Sequence, residues 1–273
     1  CGKVASNRWA IQPMEGWDGQ EDGAPAELTL QRWRRFGLSG AQLIWGGEAV
    51  AVEAEGRANP NQLVIAGNTL AGLGALRQAL LDAHRERFGA GGEPVVGLQL
   101  THSGRYARPS RDGGGRPRVA FRHPILDKRV GITGEEAVLS DGEVASLTGS
   151  FVTAACRAAE LGFDFVDIKH CHGYLLHEFL GAHTRPGPYG GSFENRTRLL
   201  RDIVAGIRRD APGFPIAIRV SIFDTIPFRP GPDGNGGVPE KVPEGAPYRW
   251  GFGVDMANPT EGDLSEGKKL LGL

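Results

Sequence analysis

The sequence predicts an α/β fold of the parallel (β/α)8 barrel class, cut short after about the fifth strand. Three observations predict it. Short apolar runs alternate with longer amphipathic segments, the pattern of repeated βα units. Polar side chains gather just past those runs, where a barrel of this class places its chemistry. Glycine, at 42 of 273 residues, is abundant without a collagen-like period, which suits tight turns and loops that approach a ligand closely. A doubly wound open sheet would show the same alternation, but no G-x-G-x-x-G follows the first strand, so a dinucleotide site of that kind is not expected.

The elements follow in order. The first strand is read over 8–12 and closed by Pro13. A helix over 26–36 and a glycine turn at 37–40 lead to a second apolar run, 41–45. A helix over 69–88 carries Leu70, Leu73, Leu76, Leu80 and Leu81 on one face and is broken by the glycines of 89–92. The third strand is 94–100. After a glycine- and arginine-rich excursion, Ser140 and Glu143 stand at capping-box spacing at the head of a helix running to Leu161. The fourth strand is 165–168, a helix covers about 194–209, and the fifth strand is 215–220. Beyond it, 227–247 is dense in Pro and Gly and reads as extended loop, with helix again from about Asp263. One domain is expected over 1–273, with 220–262 as an extended Pro/Gly-rich loop. The chain opens on Cys1 and stops at Leu273 inside a helical segment, so a piece of a longer protein is expected.

With 31 Lys and Arg against 32 Asp and Glu, the formal charge is -1, which removes the electrostatic case for nucleic acid or an anionic membrane. A small-molecule partner is the expectation, and a homo-oligomer is left open. Cys1, Cys156 and Cys171 are too few for a disulfide framework or a four-cysteine metal site, and the apolar runs fall far short of a membrane span. A cytoplasmic protein is expected.

The strand ends carry the candidate site. They read Gln12-Pro13-Met14-Glu15-Gly16, Gly46-Gly47-Glu48-Ala49, Gln99-Leu100-Thr101-His102 and Lys169-His170-Cys171-His172-Gly173-Tyr174, with Arg219 on the fifth strand. Together with Glu55-Gly56-Arg57, the run from Gln99 to Arg105, the run from His172 to Leu180, and Tyr189-Gly190-Gly191-Ser192-Phe193-Glu194-Asn195-Arg196, the sequence resembles the Old Yellow Enzyme family of FMN-dependent NAD(P)H:flavin oxidoreductases, from Asn7 to about Asp224. The resemblance implies a TIM barrel with FMN across the carboxyl ends of its strands, reduced by NAD(P)H and reoxidised by an unsaturated acceptor, as in ene-reductases or dienoyl-CoA reductases. It places Pro13 and Met14 against the flavin ring, Ala49 beneath its polar edge, Gln99 on the pyrimidine side and Arg219 beside N1 and O2, where a fixed cation stabilises the reduced anion. It makes His172 a hydrogen-bond donor to the acceptor's oxygen and Tyr174 the acid that protonates carbon. Without the resemblance, Arg219 would read as a salt bridge to Glu48 or Asp167.

Two positions depart from the family pattern. Lys169 stands where relatives carry the first histidine of a His/His or His/Asn pair; it either meets the acceptor, which would suit an anionic group, or snorkels out or pairs with Asp167. Amine-dehydrogenase-like relatives also vary this position. Glu15 stands where relatives carry Thr or Cys and is either near the flavin or on an exposed loop. The rival outside the family is a metal-dependent barrel hydrolase in which strand alternation puts His170 and His172 on one side, joined by His102; the resemblance itself implies no metal.

Overall fold

The computed structural model describes residues 4–89, 91–242 and 247–273. Cys1, residue 90 of the glycine break and residues 243–246 of the predicted loop lie outside the described residues. Strands β1 (Ala10–Ile11), β2 (Leu43–Ile44), β3 (Ala49–Ala51), β4 (Val95–Thr101), β5 (Phe165–His170) and β6 (Ile216–Val220) form one parallel sheet. Its order, β1-β2-β4-β5-β6 with β3 also on β4, runs in chain sequence with no reversal. A doubly wound sheet needs a reversal at its switch point, so the order selects the barrel.

Helices α1 (Glu27–Leu38), α2 (Leu70–Phe88), α4 (Asp141–Glu160) and α7 (Arg198–Asp210) supply the crossovers, with α3 (Leu126–Val130), α5 (Leu175–Leu180) and α6 (Phe193–Arg196) as short loop elements. The predicted cap of α4 is present, with Glu143 donating its backbone N–H to Ser140 Oγ while its carboxylate accepts from Ser140 N. Two expectations change. The helix read over 194–209 breaks at Thr197, the C-cap of α6 and N-cap of α7. The 220–262 stretch carries an antiparallel hairpin, β7 (Phe228–Pro230) with β8 (Gly237–Pro239), before α8 (Leu264–Leu271).

Register assigns the two faces of the sheet. Ala49 lies opposite Gln99, Gln99 opposite Asp167, Asp167 opposite Ala217 and Lys169 opposite Arg219. Residues two apart share a face, so these six point into the barrel. Leu98, Leu100, Val166 and Ile168 point outward into the core beneath the helices, with Leu76, Phe151 and Ile203. Deeper inside, the Phe165 ring lies over Gly97, where a Cβ would come within 2.3 Å of it, and meets Trp45 edge-on at 5.4 Å. Only glycine leaves room for that ring. Among the described residues no helix is long and apolar enough to cross a membrane.

His170 ends β5 on the outward face. It is 1% exposed, and neither ring nitrogen has a well-formed hydrogen bond, although the Leu176 backbone lies close enough to act on it. Burial, with His177 adding to it, pushes its pKa down to about 3. Because the folded state holds this ring neutral, its stability contribution is complete above the unfolded pKa near 6.5 and is lost as pH falls toward 3. Going from pH 7 to pH 5 therefore costs about 2 kcal/mol through this one residue. His170→Leu is expected to remove that share, so that urea midpoints at the two pH values lie closer together in the variant. Equal pH sensitivity would contradict the assignment.

Candidate active site

The strand ends that hold the site are fixed from below. Met14 O accepts the Ala49 backbone N–H at 2.8 Å, and Gly16 N–H donates to Glu48 Oε1 at 2.8 Å. Gly16 O accepts from Asn59 Nδ2 at 3.2 Å, so this backbone is held on both sides. A Cβ on Gly16 would meet the Arg32 guanidinium at 2.5 Å and Asp18 at 2.6 Å. Glu48 is fully buried and ion-paired to Arg32 at 2.6 Å; burial still pushes its carboxyl up to about 7. Glu48 is paired with Arg32, so the alternative in which Arg219 bridges to Glu48 does not hold among the described residues.

This bracing aims Glu15 at the end of β5. Glu15 Oε1 is ion-paired with Lys169 Nζ, and Glu15 Oε2 accepts the Tyr174 hydroxyl at 2.5 Å. Lys169 Nζ also sits 3.8 Å from the centre of the Tyr174 ring, a cation–π contact. Lys169 is 6% exposed, so it neither snorkels outward nor pairs with Asp167. Glu15 is equally far from an exposed-loop residue, its side chain being 18% exposed. Burial first, and Glu15 second, hold the Tyr174 phenol far above its ordinary pKa.

The turn between β5 and α5 presents the rest. His172 adopts φ of 62°, the only positive value of a non-glycine among the described residues, and Gly173 follows at 68°. Gly173 N–H donates to His177 Nδ1 at 2.9 Å, and His177 Nε2 lies 3.4 Å from Asp224 Oδ1, so α5 and the segment after β6 hold the turn. His172 is exposed, and desolvation with Lys169 and Arg219 nearby lowers its pKa, keeping the imidazole neutral at pH 7.

The rival metal set does not assemble. The strand ends at His170, so alternation stops before His172; His170 faces the outer core while His172 sits on the left-handed turn above the mouth. His102 is occupied elsewhere, its Nδ1 accepting Gly104 N–H at 3.1 Å and its ring packed against Gly56. Among the described residues no three His, Cys, Asp or Glu side chains converge as a metal site.

Gln99 and Arg219 occupy one compartment. Gln99 Nε2 donates to Asp167 Oδ2 at 2.6 Å, and Arg219, half-buried, lies close enough to Asp167 to act on it electrostatically. Among the described residues the Arg219 side chain makes no hydrogen bond or ion pair. Asp167 Oδ1 is buried without a well-formed partner, with Trp45 and the Arg219 backbone nearby. Ala49 is 1% exposed beside Gln99, Pro13 is half-buried, and Met14 is 53% exposed. Next to Tyr174 and Glu15 opens a cavity of about 450 Å³, walled by Trp17, Tyr106, Arg105 and Arg108. Trp17 and Tyr106 went unassigned in the sequence because their loops meet only in three dimensions.

Consecutive parallel strands joined by the crossover helices α1, α2, α4 and α7, with a charged and aromatic cluster at their carboxyl ends, define a barrel of the (β/α) class. The chain belongs to the NADH:flavin oxidoreductase / NADH oxidase family, whose sequence model matches residues 3–231. It is 33% identical over 229 residues to an NADPH dehydrogenase of Bacillus subtilis (strain 168), covering 80% of this chain and 60% of that protein. It is 31% identical over 195 residues to a NADH:flavin oxidoreductase of Gibberella zeae, covering 66% of this chain and 45% of that one. The chain thus spans about half of the length of the curated relatives it matches. The fold is similar to that of Old Yellow Enzyme from Pichia sp. AKU4542, with a TM-score of 0.65 at 22% identity over 80% of this chain and 56% of that one.

Proposed function

We propose that this chain carries the flavin-facing and acceptor-facing wall of an FMN-dependent oxidoreductase that takes hydride from NAD(P)H and passes it to an unsaturated acceptor. The observation that carries the reading is Arg219, a guanidinium without an ion-pair partner among the described residues, on the same inner face as Gln99 and above the small, buried Ala49. A cation so placed, beside a buried carboxylate oxygen lacking a good donor, fits the polar edge of an isoalloxazine. Pro13, Met14, Ala49, Gln99 and Arg219 would hold it. When bound, the flavin accepts hydride from the nicotinamide and delivers it to the acceptor.

The chain's own residues do the rest. Arg219 stabilises negative charge that develops on the flavin's polar edge. His172, neutral at pH 7, donates a hydrogen bond to the acceptor's oxygen, and Lys169 adds charge to the same place, partly offset by Glu15. Tyr174 supplies the proton. Trp17, Tyr106 and Tyr174 give the space beside Glu15 an aromatic wall against which an acceptor would lie. A small molecule is the proposed partner and the cytoplasm the proposed location.

The test is FMN titration followed by the two half-reactions. Yellow, NADPH-reducible protein that an activated alkene reoxidises supports the proposal; a complete, full-length protein that refuses FMN rejects it. Arg219→Met is expected to weaken FMN retention or lower the flavin's midpoint potential, the loss of one preorganised group being worth about 2.7–4 kcal/mol in other enzymes. Unaltered occupancy and potential would remove Arg219 from the site. The aromatic wall of Trp17, Tyr106 and Tyr174 also suits stacking against an amine, which would enter past Arg105, Arg108 and Arg129. If amines bleach the flavin and alkenes fail to reoxidise it, that second reading takes over.

A further inference from the structure

We infer that Lys169, Glu15 and Tyr174 form a hydrogen-bonded proton supply, with Glu15 as the residue that refills Tyr174 after each transfer to the acceptor. The inference rests on the proposed function and adds to it a role for Glu15. The geometry is continuous: Lys169 Nζ–H faces Glu15 Oε1, and Tyr174 Oη–H points at Glu15 Oε2 at 2.5 Å. One carboxylate joins an ammonium to a phenol, and all three side chains belong to loops or strand ends braced by buried bonds. Glu15 and Tyr174 line the same cavity, so the chain begins at β5 and ends where an acceptor would lie.

The balance is simple. With flavin bound, hydride would reach one alkene carbon and leave the π electron pair on the neighbouring carbon. That pair takes the Tyr174 proton, so the phenol O–H bond breaks as a C–H bond forms. Lys169 then gives a proton to Glu15 Oε1, the carboxyl group turns and hands that proton to the phenolate oxygen, and Lys169 is reprotonated by solvent. Each turnover consumes one hydride and one solvent proton. Lys169, above the Tyr174 ring, is placed to compensate the transient phenolate. The charged and titratable groups around Glu15 are Lys169, Tyr174, Cys171 and His172 on the β5 side and Arg105, Tyr106, Arg108 and Arg129 around the cavity.

Glu15→Gln keeps the shape and cannot pass a proton. Alkene-driven reoxidation of the reduced, FMN-loaded variant is expected to slow about tenfold or more, part of the 10²- to 10⁴-fold that a positioned acid contributes. Glu15→Asp, which restores a carboxylate, should recover most of it. An independent readout needs no flavin. Tyrosinate absorbance of the full chain is titrated, and the Tyr174 part is isolated by subtracting Tyr174→Phe. In Glu15→Gln this part should move about one pH unit or more lower, because the neighbouring negative charge is gone. An unmoved Tyr174 titration, or failure of Asp to rescue where Gln fails, overturns the inference. A wild type whose phenol responds to Glu15 but whose flavin no alkene reoxidises overturns the functional reading, which the phenol titration by itself does not test.

Discussion

Tyr174→Phe is expected to slow reoxidation of the reduced flavin by an activated alkene by about 10²- to 10⁴-fold, while reduction by NAD(P)H proceeds as before. At 1.36 kcal/mol per decade this is about 2.7–5.4 kcal/mol of transition-state stabilisation. The two half-reactions differ in what they need. Hydride transfer from nicotinamide to flavin requires no proton on carbon, whereas saturating an alkene does. The substitution is also clean on structural grounds, because the ring remains under Lys169 and 6.3 Å from Tyr106, and only the hydroxyl that donates to Glu15 is lost. Rapid-mixing measurements of both half-reactions check it. Equal slowing of the two would mean that Phe disturbs the cavity as a whole, and the acid role would be rejected.

The parts of this molecule that were legible from sequence are those governed by local pattern. Repeating leucines marked α2, and Ser140 with Glu143 marked the start of α4. Positions at strand ends located Gln99, Lys169, Tyr174 and Arg219, since strand register alone brings the first two and the last onto one face. What escaped was set by contacts between distant segments. Ala49 was read just past the end of the second strand but belongs to β3, because Gly46, Gly47 and Glu48 interrupt the strand and only pairing with β4 shows that it resumes. The β7–β8 hairpin was hidden in a segment whose Pro and Gly content argues against strands. The partner of Lys169 lies 154 residues away, and no spacing rule reaches that far. His170 and His172 show the opposite error: alternation holds only while backbone stays extended, and the chain leaves the strand between them.

The largest effect on stability is expected at Arg105, in the run from Gln99 that carries the family resemblance. Its guanidinium is 1% exposed and pairs with both Asp127 and Glu178, with a further bond to Phe121 O at 3.0 Å. Glu178 in turn accepts the Ala120 backbone N–H at 3.1 Å, and burial pushes its carboxyl above the ordinary range against the pull of Arg105. Arg105 thus ties the loop after β4 to α3 and α5, and it walls the cavity beside Tyr174. Arg105→Met leaves the buried Glu178 carboxylate without a cation, while Asp127 keeps Arg122; breaking a buried pair in this way typically costs about 3–5 kcal/mol. Urea unfolding at pH 7 should show that loss, and Arg105→Met combined with Glu178→Gln should regain part of it, since the amide still accepts from Ala120 and carries no charge. If instead Arg105→Met unfolds within about 1 kcal/mol of wild type, the buried network is not what holds these loops. A loss that Gln at 178 repairs would show that the mouth of the barrel is held by charge compensation, and that the same ion pairs fix one wall of the cavity in which Tyr174 and Glu15 meet.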